Sequence, residues 1–288
     1  MRLGALEAGG TKMVCAIGNE NGEIFERATF PTLTPEETVP PMVEFFKQHQ
    51  VDALGIACFG PIDPDVNSKT YGYILRTPKI PWRDYDFVGA FKEALNVPIG
   101  FDTDVNGSLL GEVYFGAAKG LSDAVYYTIG TGVGAGIMVN GALLHGMQHA
   151  EAGHILMRQE AGDDFQGCCP SHGHCFEGMA AGPAIEARWG KKGVELADRQ
   201  EVWELESRYI AQGLVATICL LSPKVIILGG GVMMQEQLFP LIRKEVTRLL
   251  NNYLDTKELR DMDHYIVPAA CGGDQGILGC LKLAEFSL

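Results

Sequence analysis

Three groups of residues have types and spacings that could do chemistry. In the stretch HILMRQEAGDDFQGCCPSHGHC, Cys169, His172 and Cys175 follow the order C-x-x-H-x-x-C, with His154 upstream. Thiolates and imidazoles at this spacing suit tetrahedral zinc. Four protein ligands leave no open coordination position, so the ion would pin a loop; Cys168 and His174 stand as alternative ligands. The second group is acidic. Asp102 and Asp104 in DTDVN close a strand-like run just ahead of a helix-like run beginning near Asn106. A strand end beside a cleft is where a general base belongs, and the same place also suits a helix N-cap. Glu151 in EAGH and Glu177 in CFEG flank the metal stretch, and a pinned loop presenting two carboxylates could grip a polyhydroxylated ligand.

The third group is made of glycines. AGGTK (8–12), GTGVGAG (130–136), GGG (229–231) and GGDQG (272–276) each fall at a strand end. Without Cβ atoms, such turns let backbone N–H groups converge on an anion. Lys12 is the only cation among them. Any one of them alone reads as a tight turn, whereas the four together read as a phosphate cradle. No GxxxxGK[ST] string occurs, which excludes P-loop chemistry. GTGVGA at 130–135 satisfies GxGxxA, but the AGIMVNG that follows reads as a strand, and a dinucleotide-binding turn must open a helix.

The elements that must position these groups alternate between strand and helix. RLGALEAGG, TKMVCAIGNE and GEIFERATF read as strands, the last two joined across Asn21-Gly22. A helix from Pro35, the buried strand VDALGIACFG, a proline-bearing loop over 60–82, the helix YDFVGAFKEALN and the strand VPIGFDTD follow. AVYYTIGTG, AGIMVNG and ALLHG repeat the opening theme, which suggests an internal duplication. Helices are expected at GPAIEARWG, 198–221 and 235–254, strands at KVIILGGG and DHYIVPAA, and a last helix in GDQGILGCLKLAEFSL. This is an α/β chain, expected as a lobe over 1–115, a second lobe over 116–272 carrying a zinc loop at 150–180, and a helix over 273–288 packing back on the first lobe.

Composition agrees with a globular protein. The 288 residues are 47% hydrophobic and 20% charged, and 23 basic against 36 acidic residues give a net charge of -13, so nucleic acid and anionic membrane are poor partners. The opening MRLGALEAGGTK lacks the unbroken apolar stretch of a signal peptide, and a cytoplasmic location is expected. Cys15, Cys58, Cys219, Cys271 and Cys280 are expected as small buried side chains, and His49, His145, His149 and His264 as ordinary satisfied or solvated residues.

EAGGTK at 7–12, GPID at 60–63, TDVN with Gly111-Glu112, IGTGVGAGI at 129–137, EAGH at 151–154, CPSHGHCFEG at 169–178 and ILGGGV at 227–232 together resemble the ROK family of sugar kinases and repressors, in its fructokinase-type branch. The resemblance implies a two-lobed, actin-like ATPase (ribonuclease H-like) fold with an interlobe cleft. It implies phosphorylation of a hexose 6-hydroxyl by ATP and Mg²⁺, with fructose preferred over glucose, mannose or an N-acetylhexosamine, and with a structural Zn²⁺. Asp104 would be the base, and Asp104, Glu151, His154 and Glu177 would contact the sugar. Gly9, Gly10, Thr11, Lys12, Gly130, Thr131 and Gly132 would hold the phosphates, and Gly229, Gly230 and Gly231 would lie near the adenosine. His154, Cys169, His172 and Cys175 would bind the zinc. Glu7 stands where most members have Asp, and Pro170 falls where the common zinc pattern has a central cysteine, with His172 as ligand instead. The family's repressors carry a DNA-binding helix-turn-helix ahead of the phosphate motif, which here begins at residue 7. A homodimer is plausible on the same resemblance, and a non-catalytic sugar-binding regulator is the remaining alternative.

Overall fold

The computed structural model describes all 288 residues, Met1–Leu288. The chain divides into two compact units, one of Met1–Gly120, Leu143–Ala150 and Ala270–Leu288, the other of Leu121–Ala142 and Glu151–Ala269.

In the first unit, β1 (Leu3–Ala8) pairs antiparallel with β2 (Lys12–Gly18), which pairs with β3 (Ile24–Pro31). Gly22, between β2 and β3, has φ of 80°, the left-handed conformation that glycine adopts without steric cost. α1 (Pro35–His49) leads to β4 (Ala53–Cys58), which lies parallel to β1 and is buried at every position, as a two-face-covered inner strand must be. The expected loop over 60–82 contains one short strand, β5 (Tyr73–Ile74), and a 3-10 turn at Ile80–Trp82, and β6 (Tyr85–Asp86), just after it, pairs antiparallel with β5. Trp82 anchors this loop. It is 1% exposed, its Nε1 donates to Leu33 O at 2.7 Å, and Phe59, Tyr85 and Phe87 meet it edge-on at 5.6–6.2 Å. Such ring pairs contribute about 1 kcal/mol each beyond burial. α2 (Phe87–Leu95) is capped by Asp86, whose Oδ1 accepts from Gly89 N–H at 2.7 Å. β7 (Ile99–Thr103) adds parallel to β4, and α3 (Asp104–Phe115) follows without a break.

The second unit opens with β8 (Ala124–Ile129), β9 (Val133–Val139) and β10 (Ala142–Leu143). The metal stretch then runs with little regular structure to α4 (Phe176–Ala180), followed by α5 (Gly182–Trp189) and α6 (Gln200–Leu221). β11 (Val225–Gly229), α7 (Leu238–Leu250), α8 (Met262–Tyr265) and β12 (Ile266–Pro268) complete it. The sheets have the orders β3-β2-β1-β4-β7 and β10-β9-β8-β11-β12. With β5 and β6 set aside as a separate two-stranded sheet, the five strands of each sheet follow the same order, so the duplication suggested by the two hairpins extends to both five-stranded sheets.

α9 (Gln275–Phe286) returns to the first unit and packs against α3, β1 and β4. Its approach to α3 is very close, because a Cβ on Gly279 would lie 1.7 Å from Gly107 O.

Several expectations are corrected. DHYIVPAA begins as α8, leaving only three strand residues. Cys219 is exposed, on the outer side of α6, and Cys271 is half-buried in the turn ahead of α9; Cys15, Cys58 and Cys280 are buried. No helix is long and apolar enough to cross a membrane.

Candidate functional site

Asp104 is the first residue of α3, not its cap. Thr103 ends β7 with φ -68° and ψ 155°, and its Oγ1 accepts the Asn106 N–H at 3.1 Å. The threonine, not Asp104, therefore caps the helix, and Asp104 Oδ1 accepts from Val105 N–H at 2.9 Å. Asp102 braces the strand end. It is 3% exposed, and its Oδ1 accepts from Thr103 N–H and from Asn106 Nδ2, both at 2.7 Å. Its Oδ2 lies 2.9 Å from His145 Nε2, and this hydrogen bond raises the His145 pKa above the ordinary imidazole value. His149 is buried, and its Nε2 accepts the Ile62 N–H at 3.2 Å. Both histidines come from the Leu143–Ala150 segment, which belongs to the first unit, and sequence spacing gives no sign of that placement.

The glycine turn between β1 and β2 closes with Gly9 N–H donating to Lys12 O at 3.1 Å and Thr32 Oγ1 donating to Gly9 O at 2.8 Å. Beside it lies a recess of about 210 Å³ bordered by Glu7, Gly9, Lys12, Arg27, Gly273 and Asp274. The fourth glycine turn thereby meets the first. Burial pushes the Glu7 carboxyl above its ordinary range, with the Lys12 charge pulling the other way. Arg27 grips Asp274 through two N–H···O contacts, 2.7 and 2.6 Å long. Thr11, by contrast, is exposed.

In the second unit a pocket of about 410 Å³ is bordered by Gly130, Thr131, Gly231, Ile185, Lys192 and Trp203. Of the 229–231 glycines only Gly231 borders it. Gly229 and Gly230 are fixed by packing: their Cβ atoms would lie 2.4 Å from Tyr126 Oη and 2.5 Å from Ile129 O. Gly130 O accepts the Gly182 N–H at 2.7 Å, which ties the turn to the start of α5. At Gly132 a Cβ would lie 2.6 Å from Glu177 Oε2, and the same oxygen accepts the Val133 N–H at 3.1 Å. The turn therefore holds Glu177 in place. Trp203, Ile185 and Lys192 were not picked out by the sequence reading, since no local motif marks them.

His154, Cys169, His172 and Cys175 converge, with their ligand atoms all within 4.8 Å of one another. His154 Nδ1 lies 3.8 Å from Cys169 Sγ and 3.5 Å from Cys175 Sγ, and His172 Nδ1 lies 3.7 Å from Cys169 Sγ. A tetrahedron with bonds of about 2.1 to 2.3 Å has edges of about 3.4 to 3.8 Å, so the donor set fits zinc in its chemistry and these three edges match it in length. Cys168 and His174 lie outside the group. The loop between the ligands has further supports: Gln212 bonds both the N–H and the carbonyl of Arg158, at 2.9 and 3.0 Å, and Tyr209 Oη donates to Asp163 at 2.6 Å. Glu151 precedes the 3-10 turn Ala152–His154, which brings it beside the ligand His154 in the chain.

The sequence profile of the ROK family matches residues 3–286. The chain belongs to the ROK family. A fructokinase of Pediococcus pentosaceus is 46% identical over 288 residues, covering 100% of this chain and 99% of that protein. A fructokinase of Streptococcus mutans is 46% identical over 98% of this chain and 97% of that protein. Among solved structures, a ROK family glucokinase from Streptomyces griseus in complex with glucose and AMPPNP superposes with a TM-score of 0.75 at 27% identity, covering 99% of this chain and 100% of that one.

Proposed function

We propose that this protein is an ATP-dependent hexose kinase that transfers the γ-phosphoryl group of ATP to the primary 6-hydroxyl of fructose. The observation that carries the reading is Asp104, which opens α3 on a strand end braced by Asp102, Thr103 and Asn106, in a chain nearly half identical to named fructokinases. The 6-hydroxyl oxygen forms a bond to the γ-phosphorus while the bond from that phosphorus to the ADP oxygen breaks. The hydroxyl proton passes to Asp104, and ADP carries away the negative charge. Such transfers depend on positioning and on charge stabilisation.

Glu151, His154 and Glu177 hold the sugar. With its Nδ1 turned to the cysteine cluster, His154 has Nε2 left for a hydroxyl, and Glu177, with Oε2 accepting from Val133, has Oε1. Zinc at the four-residue cluster supplies rigidity to the loop between Glu151 and Glu177. The 410 Å³ pocket, with Trp203 and Ile185 as apolar walls, takes the adenosine, and AMPPNP in the Streptomyces griseus neighbour supports a nucleotide in this fold. The turns at 9–12 and 130–132 would hold the phosphates through their remaining N–H groups, since those of Gly9 and Gly130 close the turns on Lys12 O and Gly132 O. Mg²⁺ arriving with ATP supplies charge neutralisation, and Glu7 and Asp274, which border the 210 Å³ recess, offer the hard oxygen donors it prefers.

The test is ADP release over fructose, glucose, mannose and N-acetylglucosamine, with and without a zinc chelator in excess magnesium. Fructose is expected to be turned over fastest, and chelation to raise its KM. Preference for another hexose would replace the substrate, and absence of sugar-dependent ADP release with every hexose would favour a sugar-binding regulator.

A further inference from the structure

The space where Gly10 lacks a side chain is filled from far along the chain. A Cβ on Gly10 would lie 3.0 Å from Lys79 Cε and 3.5 Å from its Nζ. A second lysine therefore lies across the first glycine turn, and it is not Lys12, which borders the recess beside Glu7. The Lys79 ammonium has the Phe59 ring, with its centroid 5.9 Å away, and no carboxylate in ion-pairing range.

Its backbone is fixed in several places. Lys79 N–H donates to Thr77 Oγ1 at 3.4 Å, and Lys79 O accepts the Trp82 N–H at 2.9 Å. Arg83 Nε donates to Thr77 O at 2.6 Å, and the buried Trp82 ring fastens the segment to the core. Ordering a lysine costs up to about 2 kcal/mol of side-chain entropy. A half-buried cation laid over a glycine turn, with no carboxylate to offset that cost, is arranged for an anion that comes and goes.

We propose that Lys79 is a catalytic residue of the phosphoryl transfer, its ammonium contacting the non-bridging oxygens of the phosphoryl group as it leaves ADP. The assignment rests on the kinase reading above. Lys79 gives and takes no proton, and it acts by stabilising charge that is greatest in the transition state, so its removal lowers kcat more than it raises KM. Gly10 is then glycine to admit this side chain.

The experiment compares wild type, Lys79→Met and Lys79→Arg by fructose-dependent ADP release in excess magnesium, with thermal melts of all three. Loss of one such donor lowers kcat by about 10² to 10³-fold. The methionine variant is expected to show that loss with its melting temperature and KM for ATP near wild type, and the arginine variant to recover part of the rate. An active wild type with Lys79→Met within about threefold in kcat overturns the assignment of Lys79 alone. So does a raised KM for ATP at unchanged kcat, which marks ground-state binding. A wild type that releases no ADP with any hexose overturns the kinase reading, and the Lys79 assignment with it.

Discussion

Replacing Gly279 by alanine tests whether the contact between α3 and α9 sets the position of Asp104. The new Cβ would lie 1.7 Å from Gly107 O and 2.5 Å from Gly107 C, both backbone atoms of α3. An ordinary carbon–oxygen contact is about 3.2 Å, so one helix must retreat by about 1.5 Å. α3 has no room to absorb this, because a Cβ on Gly107 would already stand 2.6 Å from Ala57 Cβ on β4. Overpacking against backbone costs about 3 kcal/mol, and the better helix propensity of alanine returns about 1 kcal/mol, for a net loss of about 2 kcal/mol. In a chain of 288 residues that lowers the melting temperature by about 3 to 4 °C. Asp104 lies within one turn of Gly107, and a misplacement of about 1 Å lowers kcat by about 100-fold. Circular dichroism melts give the first quantity, and ADP release well below the melting temperature gives the second. A variant that melts at or above wild type, as helix propensity alone dictates, and keeps its kcat would refute the reasoning.

Three further outcomes follow from the sites. Cys175→Ser removes one of four clustered ligands, so metal content measured by atomic absorption falls from about one zinc per chain toward zero, and proteolysis within 155–175 accelerates while the melt of the remainder moves little. Glu7→Gln separates stability from activity. Burial raises the folded-state pKa of Glu7 above its ordinary 4.5, so the ionised form costs stability, a cost absent at low pH and complete once pH exceeds the folded-state pKa. The glutamine variant should therefore melt higher than wild type near about pH 8 and level with it near about pH 4. Its turnover should fall about tenfold or more if the carboxylate helps seat magnesium; unchanged turnover removes Glu7 from that role. Trp203→Ala should raise KM for ATP about tenfold or more with kcat less affected, since it removes a pocket wall and no reacting group.

Much of the fold can be read in the sequence because its signals are local. The Asn21-Gly22 turn, the fully apolar run of β4 and the Thr103–Asn106 junction each record a backbone requirement in adjacent residues. The metal cluster is legible for the same reason, since three ligands lie within one short loop. What escapes is what folding assembles from a distance. Lys79 reaches Gly10, His145 reaches Asp102, and Trp203 faces Gly130 and Gly231 only after elements far apart in the chain have packed. Gly229 and Gly230 carry a second requirement that the string GGG does not reveal, since Tyr126 and Ile129 leave no room for a side chain there.

The most direct measurement is fructose-dependent ADP release by Asp104→Asn, paired with calorimetric binding of fructose and ATP. The substitution keeps the shape of the side chain and its acceptor for Val105 N–H while removing the basic carboxylate. The account predicts that both ligands still bind and that turnover falls by about 10² to 10⁴-fold. Turnover near wild type, with binding unchanged, would contradict it.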